Sequence, residues 1–107
     1  MEIELLYFDG CPSHEAFELR LRELLAEAGL DVVVGQRRVE SDAAAQSERL
    51  LGSPTLRVDG VDIDPGAGDH SDYGLKCRLY STEQGLRGAP PDEWVRDALR
   101  HAGGSVG

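Results

Sequence analysis

The sequence predicts an α/β fold in the order βαβαββα, with a mixed sheet and a long insert before the last helix. Three observations carry that expectation. Ile3-Glu4-Leu5-Leu6-Tyr7-Phe8 is an apolar run short enough for a buried strand, and apolar residues at helical spacing follow it closely. A Val-rich run followed by an Ala-rich helical stretch repeats the pattern. Asp59-Gly60, set between Thr55-Leu56-Arg57-Val58 and Val61-Asp62-Ile63, is the strongest short-range hairpin signal a sequence carries, and it makes strands three and four antiparallel. Residues 1–107 are expected to form one domain that buries roughly two-thirds of its unfolded surface and folds without a metal or a disulfide.

Taken in order, Asp9-Gly10 punctuates the end of the first strand. Cys11 then stands at a helix start, with Pro12 in the first turn where a missing N–H costs nothing. Over residues 13–28, Phe17, Leu21, Leu24, Leu25 and Ala28 form the apolar face, and Gly29 takes the C′ position. Asp31-Val32-Val33-Val34 reads as the second strand, with Gly35 weakening its far end or marking a bulge. Ser41-Asp42 supplies an N-cap and a first-turn acid for a helix over 43–51, which Gly52 closes. Pro90-Pro91-Asp92 introduces the last helix, whose Trp94, Val95, Ala98, Leu99 and Ala102 share one face. Gly103-Gly104 stops it, leaving residues 103–107 as a flexible tail.

Residues 64–89 remain as the insert. Its first part has turn composition. In its second part Tyr73, Leu75, Cys77 and Leu79 alternate with Gly74, Lys76, Arg78 and Tyr80, which predicts a short extended segment with Cys77 facing inward.

Twenty acidic against eleven basic side chains give a net charge of −9, and the basic residues are scattered apart from Arg37-Arg38. Such a surface repels a phosphate backbone, so nucleic acid is not an expected partner. No run approaches the ~18 apolar residues of a membrane span, and the N-terminus lacks the basic flank and cleavage site of a signal peptide. The expectation is a cytoplasmic protein with no membrane partner. In that compartment its two cysteines are expected as reduced thiols, whether reactive, metal-binding or simply buried.

Chemistry concentrates at Cys11-Pro12-Ser13-His14. A thiol at a helix start meets unpaired N–H groups and the positive end of the macrodipole, which favour thiolate over thiol. A protonated His14, one turn along, would add to this, and the Asp9 carboxylate would oppose it. The other reading of Cys11 is a small buried hydrophobe. Without a Cys-x-x-Cys, any intramolecular dithiol pairs Cys11 with Cys77, which loop closure allows because its entropy grows only logarithmically with length. The alternative for Cys77 is the apolar-facing residue of an edge segment. His14 reads as a proton carrier for Cys11, a ligand, or an exposed first-turn histidine. His70, among Asp64, Asp69 and Asp72, lacks the spacing of a calcium loop or zinc knuckle and reads as part of a solvated acidic loop.

Strand, Cys11-Pro12-Ser13-His14, helix, and then Gly52-Ser53-Pro54-Thr55 about forty residues on, resembles the arrangement of thioredoxin-like proteins, a three-layer sandwich. The resemblance spans residues 2–63 and the last helix. It implies a cis Ser53-Pro54 bond, Pro54 packed beside Cys11, and a substrate groove shaped by Pro12, Ser53, Pro54 and Thr55. Beside it, Tyr73 and Tyr80 read either as core packing or, one of them, as a cover over the thiol site. The departure is His14, which stands where that family has its second cysteine. The wider pattern adds Tyr7-Phe8-Asp9-Gly10, Val58-Asp59-Gly60 and Tyr73-Gly74-Leu75-Lys76-Cys77-Arg78-Leu79-Tyr80. It is similar to a group of short bacterial thioredoxin-like proteins, some labelled alkylmercury lyase-like. That enzyme uses two cysteine thiolates and a carboxylate to cleave a carbon–mercury bond and protonate the carbon; the matching types here are Cys11, Cys77 and Asp9.

Three functions are therefore expected, in this order. The first is a thiol–disulfide oxidoreductase with Cys11 as nucleophile, Cys77 as distal resolving thiol and His14 tuning Cys11; its partners are protein or small-molecule thiols and disulfides, and it requires no cofactor. The second is a protein that holds or processes a thiophilic metal such as mercury, copper(I) or zinc through Cys11 and Cys77. The third is a non-catalytic interaction module. The sequence leaves the oligomeric state open.

Overall fold

The structure, a computed structural model, describes residues 1–104. The elements are β1 (Ile3–Tyr7), α1 (Pro12–Glu27), β2 (Val34–Arg38), α2 (Asp42–Glu48), β3 (Thr55–Val58), β4 (Val61–Asp62), β5 (Tyr80–Thr82), β6 (Gly85–Arg87) and α3 (Asp92–Gly104), with a 3-10 turn at Ala67–Asp69. Strands β1 to β4 form one mixed sheet in the order β2-β1-β3-β4. β1 and β2 are parallel, Ile3 opposite Val34, as a strand–helix–strand crossover demands. β3 is antiparallel to both β1 and β4, with Leu5 opposite Leu56 and Val58 opposite Val61. Asp59 and Gly60 both take positive φ, 52° and 80°, which is the backbone a two-residue turn between twisted strands needs.

Alternation along β1 sends side chains to two cores. Ile3 and Leu5 join Leu56 and Val58 against Phe17, Leu21, Leu24 and Leu25 of α1 and Val95 and Leu99 of α3. Leu6 faces the other way, into a smaller cluster with Val39, Ala45 of α2 and Leu50. The sheet thus lies between α1 and α3 on one face and α2 on the other. No helix among the described residues is long and apolar enough to cross a membrane.

Several boundaries differ from expectation for physical reasons. The second strand is Val34–Arg38, not the Val triplet before it; Val33 is exposed, and only Val34 of the strand is buried. β2 is an edge strand, so its length is held by charge rather than by apolar burial. Arg37 reaches Glu4 at 3.2 Å and Glu48 at 2.9 Å, and Arg38 reaches Asp9 at 2.8 Å. Ser41 caps α2 as expected, accepting from the Ala44 N–H at 3.0 Å, but the helix closes at Arg49, with φ of 56°, before Gly52. Gly103 and Gly104 belong to α3, and the rest of the expected tail, residues 105–107, lies outside the described residues.

The insert crosses from one face of the sheet to the other. The Gly74 N–H donates to the Leu50 carbonyl at 2.9 Å, and Gln46 of α2 donates to the Tyr73 carbonyl at 2.6 Å. Cys77 then forms a single parallel bridge with Ser53, and β5 and β6 make a separate hairpin, Tyr80 opposite Arg87. Tyr80, at its start, packs edge-on against Trp94 of α3, ring centroids 6.1 Å apart.

Candidate thiol site

The turn at Asp9 and Gly10, with Gly10 at φ of 89°, delivers Cys11 to the N-cap of α1 and Pro12 to its first turn. Cys11 makes no side-chain cap. Its thiol donates instead to the Ser53 carbonyl at 3.5 Å, and only 8 % of the residue is exposed. The Ser53-Pro54 bond is cis, and both residues are fully buried. Pro54 therefore follows directly on the carbonyl that holds the Cys11 thiol.

Ser53 is occupied on both sides of its backbone. Its N–H donates to the Lys76 carbonyl at 2.8 Å, and its carbonyl accepts from the Arg78 N–H at 3.0 Å as well as from Cys11. Residues 76–78 thus lie across the cis-proline loop as a strap. Gly52 makes the close approach possible: a Cβ there would meet the Arg78 Cβ at 2.8 Å, and its φ of 135° disfavours any side chain.

The strap is anchored by a buried charge. Arg78 is 5 % exposed, and its guanidinium donates to Thr55 Oγ1 at 3.0 Å, to Asp62 at 2.7 Å and to Asp64 at 3.2 Å. It also lies over the Tyr80 ring, 4.4 Å from the centroid. Burial works against the Arg78 charge, but Tyr80, Asp62 and Asp64 more than offset it and hold the guanidinium above its ordinary value. Burial pushes the Tyr80 phenol well above the usual tyrosine range, and its hydroxyl donates to the Pro54 carbonyl. Thr55, expected in a substrate groove, is buried and links this cluster to the loop by donating to the Gly52 carbonyl at 2.6 Å.

These contacts correct the orientation expected for Cys77. Arg78 and Tyr80 take the interior, where the guanidinium finds two carboxylates and the phenol finds a carbonyl, so Cys77 and Leu79 are turned outward. Both cysteines are free thiols, Cys11 buried and Cys77 exposed. The Cys77 side lines a surface depression with His70, Asp72 and Lys76.

His14 sits one turn into α1, its ring stacked on Tyr7 at 3.8 Å between centroids and 5° between planes. Its Nε2 lies 3.9 Å from Glu18, so the imidazole faces Tyr7 and Glu18. Tyr73 is tied to α2 through its carbonyl, and among the described residues no hydrogen bond or ring contact joins its side chain to Cys11. Pro12 and Ser13 line an open cleft of about 920 Å³ together with Ser81, Thr82 and Arg87 of the β5–β6 hairpin. Gly88 also lines it, close enough to α1 that a Cβ would meet Ser13 Oγ at 2.7 Å. Among the described residues no group of three or more His, Cys, Asp or Glu side chains is gathered to hold a metal ion.

Sequence reasoning missed the anchor: Arg78, Asp62, Asp64 and Tyr80. A signal existed in Asp62-x-Asp64 at the end of the hairpin together with an arginine inside an alternating segment, but nothing local pairs them. The chain matches no family model, and no curated protein or solved structure is significantly similar to it.

Proposed function

We propose that this chain is a thioredoxin-like thiol–disulfide oxidoreductase in which Cys11 is the nucleophile and Cys77 the resolving thiol. Ser53 carries the reading. Its carbonyl holds the Cys11 thiol at 3.5 Å, and its backbone is bridged to Cys77. Bridged strands lie about 4.8 Å apart, so the Cys77 backbone is one strand spacing from the residue that holds the Cys11 sulfur. The sheet order β2-β1-β3-β4, the cis bond at Pro54 and the helix-start position of Cys11 support the same family reading.

The reaction begins when the Cys11 thiolate, its proton given to solvent, attacks one sulfur of a disulfide. A Cys11–S bond forms, the substrate S–S bond breaks, and the leaving thiolate takes up a proton. Cys77, turned inward by a shift of the strap, then attacks the Cys11 sulfur as thiolate. The Cys11–Cys77 disulfide forms and the second substrate thiol leaves. The substrate disulfide is reduced to two thiols while the two protein thiols are oxidised, and an external thiol resets the pair.

Replacing Cys11→Ser is expected to abolish turnover of a low-molecular-weight disulfide coupled to an external thiol reductant. Turnover at the wild-type rate in that variant would contradict the proposal. Stoichiometric binding of mercury or copper(I) that needs both cysteines, without any such turnover, would instead fit the metal reading.

A further inference from the structure

An extended polypeptide recognises a folded partner most directly by adding a strand to a free backbone edge, its N–H and C=O groups supplying the affinity. The edge next to Cys11 is Ser53, and this chain has filled it. The Ser53 N–H is taken by Lys76 and its carbonyl by Arg78, at 2.8 and 3.0 Å. The filling segment is held by the Arg78 hydrogen bonds to Thr55, Asp62 and Asp64, by the Tyr80 hydroxyl on the Pro54 carbonyl, and by the close seat over Gly52. What remains open at Cys11 is 8 % of its surface, next to a cleft lined by Pro12 and Ser13. Resting on the thiol reading above, we infer that residues 76–78 are a built-in strand that excludes extended polypeptides, and that the substrates of Cys11 are small-molecule disulfides.

The chemistry is the exchange already described, with the small disulfide as oxidant: one half is transferred to Cys11 and the other leaves as thiol. Only the size and shape of the leaving and transferred halves are selected. A compact disulfide needs no backbone edge. A mid-chain cysteine in an extended peptide brings backbone on both sides, and that backbone has nowhere to pair until the strap is lifted.

The test compares two probes on the reduced full chain: bis(2-hydroxyethyl) disulfide, and an unstructured peptide whose central cysteine is disulfide-linked to 2-mercaptoethanol. Rates of loss of the free Cys11 thiol, as adduct or as Cys11–Cys77 disulfide, are followed by alkylation quench and mass mapping, and each is normalised to the same probe reacting with free cysteine, which removes intrinsic differences in leaving group. The expected result is a normalised preference of about tenfold or more for the small disulfide, the scale set by two backbone hydrogen bonds that the strap must give up. In Arg78→Gln, or in the milder Asp64→Asn, the peptide rate is expected to rise toward the small-molecule rate. Equal normalised rates in the wild-type chain would overturn the inference while leaving Cys11 as nucleophile. Modification confined to Cys77 with both probes would overturn the thiol reading itself, and the inference with it. The wild-type comparison decides the matter even if neither variant folds.

Discussion

Arg78 is the side chain on which the surroundings of Cys11 most depend. Removing it leaves Asp62 and Asp64 partly buried without the guanidinium they pair with, a change that typically costs about 3 kcal/mol or more. Arg78→Ala is therefore expected to lower unfolding free energy by roughly that amount, read from urea denaturation with an unchanged slope. Tyr80 makes a separate prediction. Its phenol titrates higher when folded than when unfolded, so its contribution is fully present below the ordinary tyrosine value and is lost as pH rises above about 10. Alkaline titration should show one of the three tyrosines ionising only as the chain unfolds, and Tyr80→Phe should remove that delayed step. Ionisation of Tyr80 at the ordinary tyrosine value in the folded chain would contradict the burial argument. At this scale Cys11 and Pro54 were legible in the sequence, because helix starts and X–Pro loops announce themselves locally. Arg78 was not, because its partners Asp62 and Asp64 lie 16 and 14 residues away, and an arginine in an alternating segment reads as solvated unless its carboxylates are known.

Among the elements, α1 and α3 are tied by charge above their shared apolar core. Arg20 grips Asp92 with two nitrogens, at 3.1 and 2.6 Å, and Arg96 reaches Glu27 at 3.1 Å. The hydrogen bond from Arg20 holds the Asp92 carboxyl below the usual carboxylate range. A depressed folded value means stability that is present above the unfolded aspartate value, near 4, and lost as pH falls below it. Asp92→Asn should flatten part of the acid limb of a stability–pH curve, by a modest amount because the pair is more than a third exposed. The strap makes a sterically sharper prediction. Gly52→Ala forces a Cβ against Arg78 at a φ of 135° and is expected to cost roughly 2 kcal/mol, visible as a lower thermal midpoint. Helix α1 and the Asp59-Gly60 hairpin were legible because period and turn chemistry agree. β2 was misplaced because an edge strand rich in Gly, Gln and Arg lacks the apolar signature by which strands are recognised, whereas Val32 and Val33 have it.

Across the molecule, the order of β1 to β4 and of the three helices, and the mixed four-stranded sheet, followed from the sequence, since each βα alternation and the Asp59-Gly60 hairpin leave few topologies; the β5–β6 hairpin did not. The path of residues 64–89 did not, because it is fixed by contacts with α2, Ser53 and Trp94 rather than by its own pattern. That path brings the backbone of Cys77 to the residue that holds the Cys11 thiol, and turns its side chain outward in the reduced state. The central claim is that these two thiols act in sequence, Cys11 first. It is tested most directly by exposing Cys77→Ser and the wild-type chain to one equivalent of a small disulfide and mapping the products by mass. The account predicts a stable adduct on Cys11 in the variant and a Cys11–Cys77 disulfide, with no adduct retained, in the wild type. An adduct that stays on Cys77 in the wild type while Cys11 remains a free thiol would contradict it.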